Sequence, residues 1–281
     1  MVKLAENRYG KSRVRLLRVQ RHADRHELRE WTVQILLHGD FASCFTDGDN
    51  SKILPTDTMK NTVYSLARNS SADSIEDFAK ELLAFLLDRN PQVFTGEITV
   101  SECAWDHLAI GGKPHSTTFF QASRELQTTT VTQAGGGAAK VGSGLDNLVI
   151  LKTSGSAFTG YIKDALTTLP ETRDRLFGTA VRADWTYSGP ELPFATLRRK
   201  IREHLLAAFA EHQSESVQHT LYVMAQNVLD HVSEVRDISL AMPNKHCLLV
   251  DLSHFGQDNP NEIFVPIDEP HGYIEARVTR E

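Results

Sequence analysis

The sequence predicts an α+β protein of two tandem domains, residues 1–136 and 137–281, each an antiparallel four-stranded sheet with two helices on one face. The first observation is that strand-like and helix-like patterns follow the same order, β-β-α-α-β-β, in both halves of the chain. The second is a stretch with five glycines in ten residues, 135–144, which indicates a flexible connector. The third is size, because 281 residues with 41% apolar content suit two ordinary globular domains.

The first half predicts two pairs of strands with two helices between them. Its strand-like segments are rich in Val, Ile, Leu and Thr, and a charged turn separates the first two as in a β-hairpin. These strands are predicted at residues 11–20, 31–45, 92–109 and 117–132. Helices are predicted at 59–68 and 74–87, where apolar residues recur every three or four positions. Ser74 is placed to cap the second helix.

The second half repeats this order. Strands are predicted at residues 147–153, 178–187, 235–242, 246–252 and 273–278. Helices are predicted at 194–209 and 217–232. In the first of these, Phe194, Ile201 and Leu205 fall on one face, as a helix packed on a sheet requires.

The predicted sheets have open edges. An unpaired edge strand is a template for further strand pairing, and closing several sheets into a barrel removes the edges. We therefore expect several copies of the chain to assemble into a barrel with a tunnel. The alternative from the residues alone is an α+β monomer whose edges are covered by loops.

Composition excludes several classes of protein. Lys and Arg total 30 against 36 Asp and Glu, giving a net charge of -6, and no basic stripe with interleaved aromatics is present, so nucleic acid is not an expected partner. No run of eighteen apolar residues could span a membrane, and residues 1–8 lack the apolar run of a signal peptide. The C-terminal residues 279–281 are not a Ser-Lys-Leu peroxisomal signal. A cytoplasmic location is expected.

Motifs for common cofactors and metals are missing. The sequence has no phosphate-binding Gly-x-x-x-x-Gly-Lys-Ser/Thr loop, no dinucleotide-binding glycine motif, no His-Glu-x-x-His and no Gly-x-Ser-x-Gly. Cys44, Cys103 and Cys247 are widely spaced and predict reduced thiols in the core rather than metal ligands. An enzyme without cofactor or metal is therefore allowed.

Three polar islands interrupt strand-like surroundings at residues 9–11, 56–57 and 244–246. Together they supply the amine of Lys11, the hydroxyl of Thr56 and the imidazole of His246. A lysine whose pKa is lowered can take the hydroxyl proton of a threonine, and a histidine can pass protons near neutral pH. These groups can act together only if folding or assembly brings them into one site.

The islands and several further motifs resemble the urate oxidase (uricase) family, from about Asn7 to Val278. The matching motifs occur in the family's order and are Tyr9-Gly10-Lys11, Gly48-Asp49-Asn50-Ser51-Lys52, Thr56-Asp57, Lys60-Asn61-Thr62, Phe158 with Gly160, Glu171-Thr172-Arg173-Asp174-Arg175-Leu176, and Met242-Pro243-Asn244-Lys245-His246. The sequence departs from some relatives at Thr159, where they carry a larger aromatic residue, and at Pro170. Both positions affect the shape of the pocket wall.

The resemblance implies tandem tunnelling-fold (T-fold) domains in a homotetramer with active sites at subunit interfaces. It also implies cofactor-independent oxidation of urate by molecular oxygen to 5-hydroxyisourate and hydrogen peroxide, in purine catabolism. Deprotonated urate is itself electron-rich and can donate electrons to oxygen. The protein then has mainly to position the reactants and move protons.

The resemblance further implies roles for individual residues in binding urate. Arg175 grips one edge of the purine, and Gln218 binds the opposite edge with Val217 offering its backbone. Phe158 stacks on the ring. Without the family motif, Arg175 would be assigned to a surface ion pair near Glu171.

For catalysis, the resemblance implies a Lys11–Thr56 dyad with His246 as a third member. Asn244 lies beside the site of oxygen or water, and Asp57 contributes mainly its backbone N–H. In the implied partition, Lys11, Thr56 and Asp57 come from one subunit. The residues of the neighbouring subunit are Phe158, Arg175, Val217, Gln218, Asn244 and His246.

Two alternatives remain open. A pterin-pathway hydrolase or aldolase would also bind a flat heterocycle between subunits, but a zinc-dependent one needs a Cys/His ligand set that the spacing does not show. A non-catalytic purine- or pterin-binding T-fold protein would retain Arg175, Gln218 and Phe158 and should have lost part of the Lys11, Thr56 and His246 set.

Overall fold

The computed structural model describes residues 2–280, and these separate into two compact units. Unit 1 comprises residues 2–144 and 186–198, and unit 2 comprises residues 145–185 and 199–280. The strands are β1 Tyr9–Arg21, β2 His26–Gly39, β3 Val93–Cys103, β4 Asp106–Ile110, β5 Lys113–Phe120, β6 Leu126–Ala134, β7 Lys140–Lys152, β8 Phe177–Tyr187, β9 Val235–Leu249 and β10 Phe264–Thr279. The α-helices are α1 Ala42–Thr46, α2 Thr56–Asn69, α3 Ile75–Arg89, α4 Phe194–Glu211 and α5 Val217–His231.

The α+β class and the order β-β-α-α-β-β are confirmed in both units. Unit 1 has the antiparallel order β1-β2-β3-β6, with α2 against β1 and α3 against β3 and β6. The added α1 and the β4–β5 hairpin are insertions into this pattern. Unit 2 has the order β7-β8-β9-β10, with α5 against β9 and β10.

One face of each sheet forms the core. In unit 1, Trp31, Val33 and Ile35 alternate with more exposed residues along β2 and are fully buried, as expected where a helix covers one sheet face. The Trp31 ring packs on Phe78 of α3 with centroids 4.7 Å apart. As predicted, Ser74 caps α3, because its side chain accepts a hydrogen bond from the Asp77 N–H at 3.1 Å.

The prediction of a flexible connector at residues 135–144 is wrong for residues 140–144, which belong to β7, and residues 135–139 form the turn between β6 and β7. The Gly137 N–H donates to the Ala134 carbonyl at 2.9 Å, which makes a tight turn, and β7 begins at Lys140. β7 lies beside β6, and the Thr129 hydroxyl donates to the Gly142 carbonyl at 2.8 Å. Glycines weaken intrinsic strand preference, but pairing with a neighbouring strand overrides it. The domain boundary after residue 136 stays a prediction, and the outer limits 1 and 281 lie outside the described residues.

Further strand predictions need correction. The predicted strands 92–109 and 117–132 each divide into two, β3 with β4 and β5 with β6, and the β4–β5 pair forms a separate sheet. The segment 31–45 was predicted to be strand throughout, whereas β2 ends at Gly39 and Ala42–Thr46 is helical. The separate strands at 235–242 and 246–252 are one strand, β9. The polar residues that suggested a break do not end the strand, because ladder hydrogen bonds are made by the backbone whatever the side chains are.

Candidate active site

In unit 2, the segment before Phe158 is bound to the turn that begins α5. The Ala157 N–H donates to the Ser214 carbonyl at 2.7 Å, and the Ser214 N–H donates to the Gly155 carbonyl at 2.9 Å. Ser216 caps α5 by accepting a hydrogen bond from the His219 N–H at 3.1 Å. The segment leading to Phe158 and the start of α5 are therefore held together.

A two-residue bridge brings Phe158 to Arg175. Phe158 pairs antiparallel with Thr172, through N–H···O bonds of 2.8 and 3.1 Å. Three residues after Thr172, the guanidinium carbon of Arg175 lies 5.2 Å from the centre of the Phe158 ring, within the range of a cation–π contact. Tyr161 stacks on the same ring at 4.7 Å with an interplanar angle of 14°. Phe158 is thus held in place, with Arg175 beside it.

Arg175 has a donor that no described residue satisfies. Its Nε is buried and has no hydrogen-bond partner within residues 2–280. Burial lowers the pKa of the guanidinium from its ordinary value, and the group nevertheless stays charged at neutral pH. Buried polar groups almost always have partners, so an unmatched donor calls for an explanation, such as a ligand.

The surface ion pair considered for Arg175 is not seen. Glu171 instead pairs with Lys163, with 2.9 Å between the ammonium and the carboxylate. Within the described chain, Arg175 takes part in no ion pair. Its guanidinium is therefore available to a bound molecule.

β9 supplies two polar residues where the apolar core ends. Side chains two residues apart lie on the same face of a strand. Leu240 and Met242 are buried on the core face, and Asn244 and His246 follow on that face and are partly exposed. The pairing of β9 with β10 is irregular between Ile267, which faces His246, and Gly272, which faces Asn244.

Arg175, Asn244 and His246 line one cavity of about 500 Å³ within unit 2. This volume lies in the range of small-molecule sites. Asp174, Thr172 and Leu169 also line it. The structure thus places three of the predicted site residues around one space that could hold a flat heterocycle.

Val217 and Gln218 are the first two residues of α5. Val217 is buried and Gln218 is exposed. The first N–H groups of a helix have no partner within the helix and can bind an electron-rich ligand. Neither residue lines the cavity, and they are linked to Phe158 only through the Ser214 contacts.

In unit 1, Lys11 lies on β1 next to an irregularity in strand pairing. The register with β2 shifts between Lys11 and Val14, and Arg13 has a left-handed φ of 57°. Gly10 is required there, since a Cβ at this position would lie 1.8 Å from the Ile35 carbonyl oxygen. This bulge sets where the Lys11 side chain leaves the strand.

Thr56 and Asp57 begin α2, so their N–H groups are directed out of the helix. The Asp57 carboxylate pairs with Lys60 and accepts from Asn61 Nδ2 at 3.0 Å. The hydrogen bond from Lys60 lowers the pKa of the Asp57 carboxyl, and nearby Lys11 contributes in the same direction. Lys11 therefore lies near the start of α2.

Tyr9 joins the two segments that carry Lys11 and Thr56. Its hydroxyl accepts from the Leu54 N–H at 2.8 Å and donates to the Leu54 carbonyl at 3.2 Å. Its ring packs edge-on against Phe41 at 4.7 Å. Tyr9 is two residues before Lys11 and Leu54 is two residues before Thr56, so this double hydrogen bond fixes the spacing of the dyad.

Tyr9 and Asp174 stand in two of the motifs that resemble the family, but no role is predicted for either from the sequence. Tyr9 bonds to backbone atoms 45 positions away, and Asp174 bonds to two backbone N–H groups and the Ser154 hydroxyl 18 to 20 positions away, to which no side-chain pattern points.

No group of three or more His, Cys, Asp or Glu residues in the described part of the chain could hold a metal ion. No helix there is long and apolar enough to cross a membrane.

Comparison with known proteins places this arrangement in a family. The family model for uricase matches residues 7–132 and 141–275. Uricase from Arthrobacter globiformis is 40% identical over 280 residues, covering 100% of this chain and 91% of that protein. Uricase from Dictyostelium discoideum is 36% identical, with 100% and 98% covered.

Comparison with solved structures also finds uricase. The crystal structure of uricase from Arthrobacter globiformis matches with a TM-score of 0.93 and 39% identity, covering 100% of this chain and 96% of that one. The two matched segments correspond to the two tandem T-fold repeats. The chain therefore belongs to the uricase family of urate oxidases.

Proposed function

We propose that this protein oxidises urate with molecular oxygen to 5-hydroxyisourate and hydrogen peroxide, without a cofactor, as a step of purine catabolism in the cytoplasm. The overall reaction combines urate, oxygen and water. Urate loses two electrons and gains a hydroxyl group from water, and oxygen takes up the two electrons and two protons to become hydrogen peroxide.

The observation that carries the proposal is the unmatched, buried Nε of Arg175 beside the Phe158 ring, at a cavity also lined by Asn244 and His246. A planar guanidinium can donate in parallel to a carbonyl oxygen and a ring nitrogen on one edge of a purine. An aromatic ring holds a flat ligand by stacking. Gln218, with both donor and acceptor, and the Val217 backbone then bind the opposite edge.

The chemistry needs groups that move protons. Lys11 takes the Thr56 hydroxyl proton while Thr56 takes one from bound urate. His246 and Asn244 act on the oxygen or water side of the ring, and the Asp57 N–H binds the ligand near Thr56. Urate that has lost its protons is the electron donor, so no cofactor is needed.

Lys11, Thr56 and Asp57 lie in unit 1, whereas the cavity with Asn244 and His246 lies in unit 2. We propose that each complete site combines the unit 2 cavity of one chain with Lys11, Thr56 and Asp57 of a neighbouring chain in a homotetramer. The open edges of β1 and β10 favour such pairing.

The test is an assay of purified protein whose metal content has been removed and measured. Urate absorbance, oxygen uptake and hydrogen peroxide are followed together. One oxygen consumed and one peroxide formed per urate, at a rate independent of residual metal, is the expected result. Urate binding without consumption would instead support the non-catalytic purine-binding alternative.

Assembly is tested separately by light scattering under assay conditions. A tetramer that carries the activity is expected. A fully active monomer would contradict both the assembly and the shared site.

A further inference from the structure

Asp174 collects hydrogen bonds from three consecutive residues of the segment that leads to Phe158. Its Oδ1 accepts from the Gly155 N–H at 2.7 Å and, more weakly, from the Ser156 N–H at 3.4 Å. Its Oδ2 accepts from the Ser154 hydroxyl at 2.7 Å. These bonds, with the Ser154 bond the largest contribution, lower the pKa of the Asp174 carboxyl, which is therefore charged at neutral pH.

The same residue is tied to both ligand-binding side chains. Asp174 directly precedes Arg175 in the chain. The Thr172 hydroxyl donates to the Asp174 carbonyl at 2.9 Å, and Thr172 is the bridge partner of Phe158. Asp174 thus fixes the backbone immediately before Arg175 relative to the segment 154–158.

The segment 154–158 is in turn bonded to Ser214, next to the start of α5. Asp174 is therefore the point at which three parts of the candidate site meet: Arg175, Phe158 and the turn before Val217. None of these hydrogen bonds completes a strand or helix ladder, so what they do is hold these loop segments together.

Asp164 provides a natural comparison in the same insert. Its carboxylate accepts from the Leu166 N–H at 2.8 Å and the Thr167 hydroxyl at 3.0 Å, and these bonds lower the pKa of this carboxyl too. All its partners lie within three residues, and none is a site residue. Both carboxylates accept hydrogen bonds from an N–H and a hydroxyl, but Asp164 holds only its own turn and does not line the cavity.

We propose that Asp174 is a positioning residue for purine binding, which holds Arg175 and Phe158 at the spacing that a flat, edge-bonded heterocycle requires. This inference rests on the proposed function, because it assumes that Arg175 and Phe158 bind a purine. Asp174 itself needs no contact with the ligand. It acts through Arg175 and through the segment 154–158.

Asp174→Asn is the informative variant because it keeps the side-chain shape and removes the charge and one acceptor. Xanthine binding by calorimetry should weaken roughly three- to tenfold, which is less than for loss of a hydrogen bond made directly to the ligand, because Asn keeps one acceptor and Asp174 acts only through Arg175 and the segment 154–158. With urate, KM should rise by a similar factor while kcat changes less, because displacing Arg175 and Phe158 weakens the binding of substrate and transition state alike. Asp164→Asn should leave both values within about twofold of wild type.

A double-mutant cycle separates positioning from general stability. If Asp174 acts through Arg175, Asp174→Asn should weaken xanthine binding far less in an Arg175→Ala background than in wild type. Thermal unfolding of each variant shows whether the chain still folds. Asp174→Glu restores the charge and should recover part of the xanthine affinity that Asp174→Asn loses. Additive losses, or equal losses in the Asp164→Asn control, would overturn the proposal.

Different results would contradict the proposed function and the role of Asp174. Wild-type protein that binds no xanthine and consumes no urate contradicts the proposed function, and with it this role of Asp174. Wild-type protein that binds xanthine no better than Asp174→Asn contradicts the Asp174 role alone.

Discussion

The two halves of the candidate site are built in different ways. In unit 2, Arg175, Phe158 and the start of α5 are joined by a network of backbone and carboxylate hydrogen bonds beside a cavity that Arg175 lines. In unit 1, Lys11 and Thr56 stand at a strand bulge and a helix start, joined mainly through Tyr9 and Leu54. Within the described residues, no hydrogen bond or ion pair uses the Lys11 ammonium.

This difference suggests a division of labour. A rigid network with an unmatched donor is suited to binding, where misplacement by an ångström is costly. A lysine and a hydroxyl without fixed partners are suited to moving protons, because their protons must change place during the reaction. Variants of Arg175 and its network should therefore act mainly on affinity, and variants of Lys11 and Thr56 mainly on turnover.

The largest effect is expected from the Lys11 and Thr56 pair. Lys11→Ala or Thr56→Ala should each lower kcat by about a hundredfold or more, as for other losses of a general base. The double variant should be little worse than either single one, because breaking one link already stops the relay. Steady-state kinetics and xanthine binding measure this, and xanthine affinity should change much less than kcat.

Lys113→Ala, at an exposed position on β5, is the control and should leave kcat unchanged. Effects of Lys11→Ala and Thr56→Ala that simply multiply would show two independent roles rather than one relay.

The next effect is on affinity. Arg175→Ala should weaken xanthine binding by about ten- to a hundredfold, since losing a charge-assisted hydrogen bond costs about 1.5 to 3 kcal/mol. Calorimetry measures the xanthine affinity directly, without turnover. Arg173→Ala removes an exposed guanidinium from the same insert and should bind like wild type. Unchanged affinity in Arg175→Ala would mean that unit 2 does not carry the binding contact.

A smaller effect is expected from Tyr9→Phe, which removes one hydroxyl and keeps the ring against Phe41. Both hydrogen bonds to Leu54 are lost, and the net cost of such bonds is about 1 kcal/mol. We expect kcat to fall roughly three- to tenfold with xanthine affinity nearly unchanged. Tyr64→Phe, at an exposed tyrosine of α2, is the matched control. A change confined to xanthine affinity would contradict the division of labour.

The fold could be predicted well wherever one side of an element is buried. Apolar residues at three- and four-residue spacing predicted α3 to within two residues, and strand β8 to within one. Predictions failed where hydrogen bonds to a neighbouring strand, and not the side-chain pattern, determine whether a segment is a strand. The glycines of 135–144 looked flexible, and Pro243 with Asn244 looked like a break in β9, yet neighbouring strands provide partners for both segments.

The site residues came from motifs that resemble a family, and the structure places Arg175, Asn244 and His246 around one cavity. Their spacing alone could not have shown this, because Arg175 and His246 are brought together only by the fold of unit 2. Asp174 and Tyr9 were not predicted, since both act on backbone atoms far along the chain.

The most direct test of the account mixes two inactive variants. Lys11→Ala chains retain an intact unit 2 half-site, and Arg175→Ala chains retain an intact unit 1 half-site. If the halves come from different subunits, random co-assembly should restore activity at about one quarter of the sites, because a mixed interface contains one site with both residues intact.

Lys11→Ala mixed with Thr56→Ala is the control, since both changes affect the same half-site and no interface can restore it. The account predicts recovery to about a quarter of wild-type kcat in the first mixture and none in the second. Activity that stays at the level of the single variants, in tetramers verified to be mixed by native mass spectrometry, would contradict a site shared between subunits.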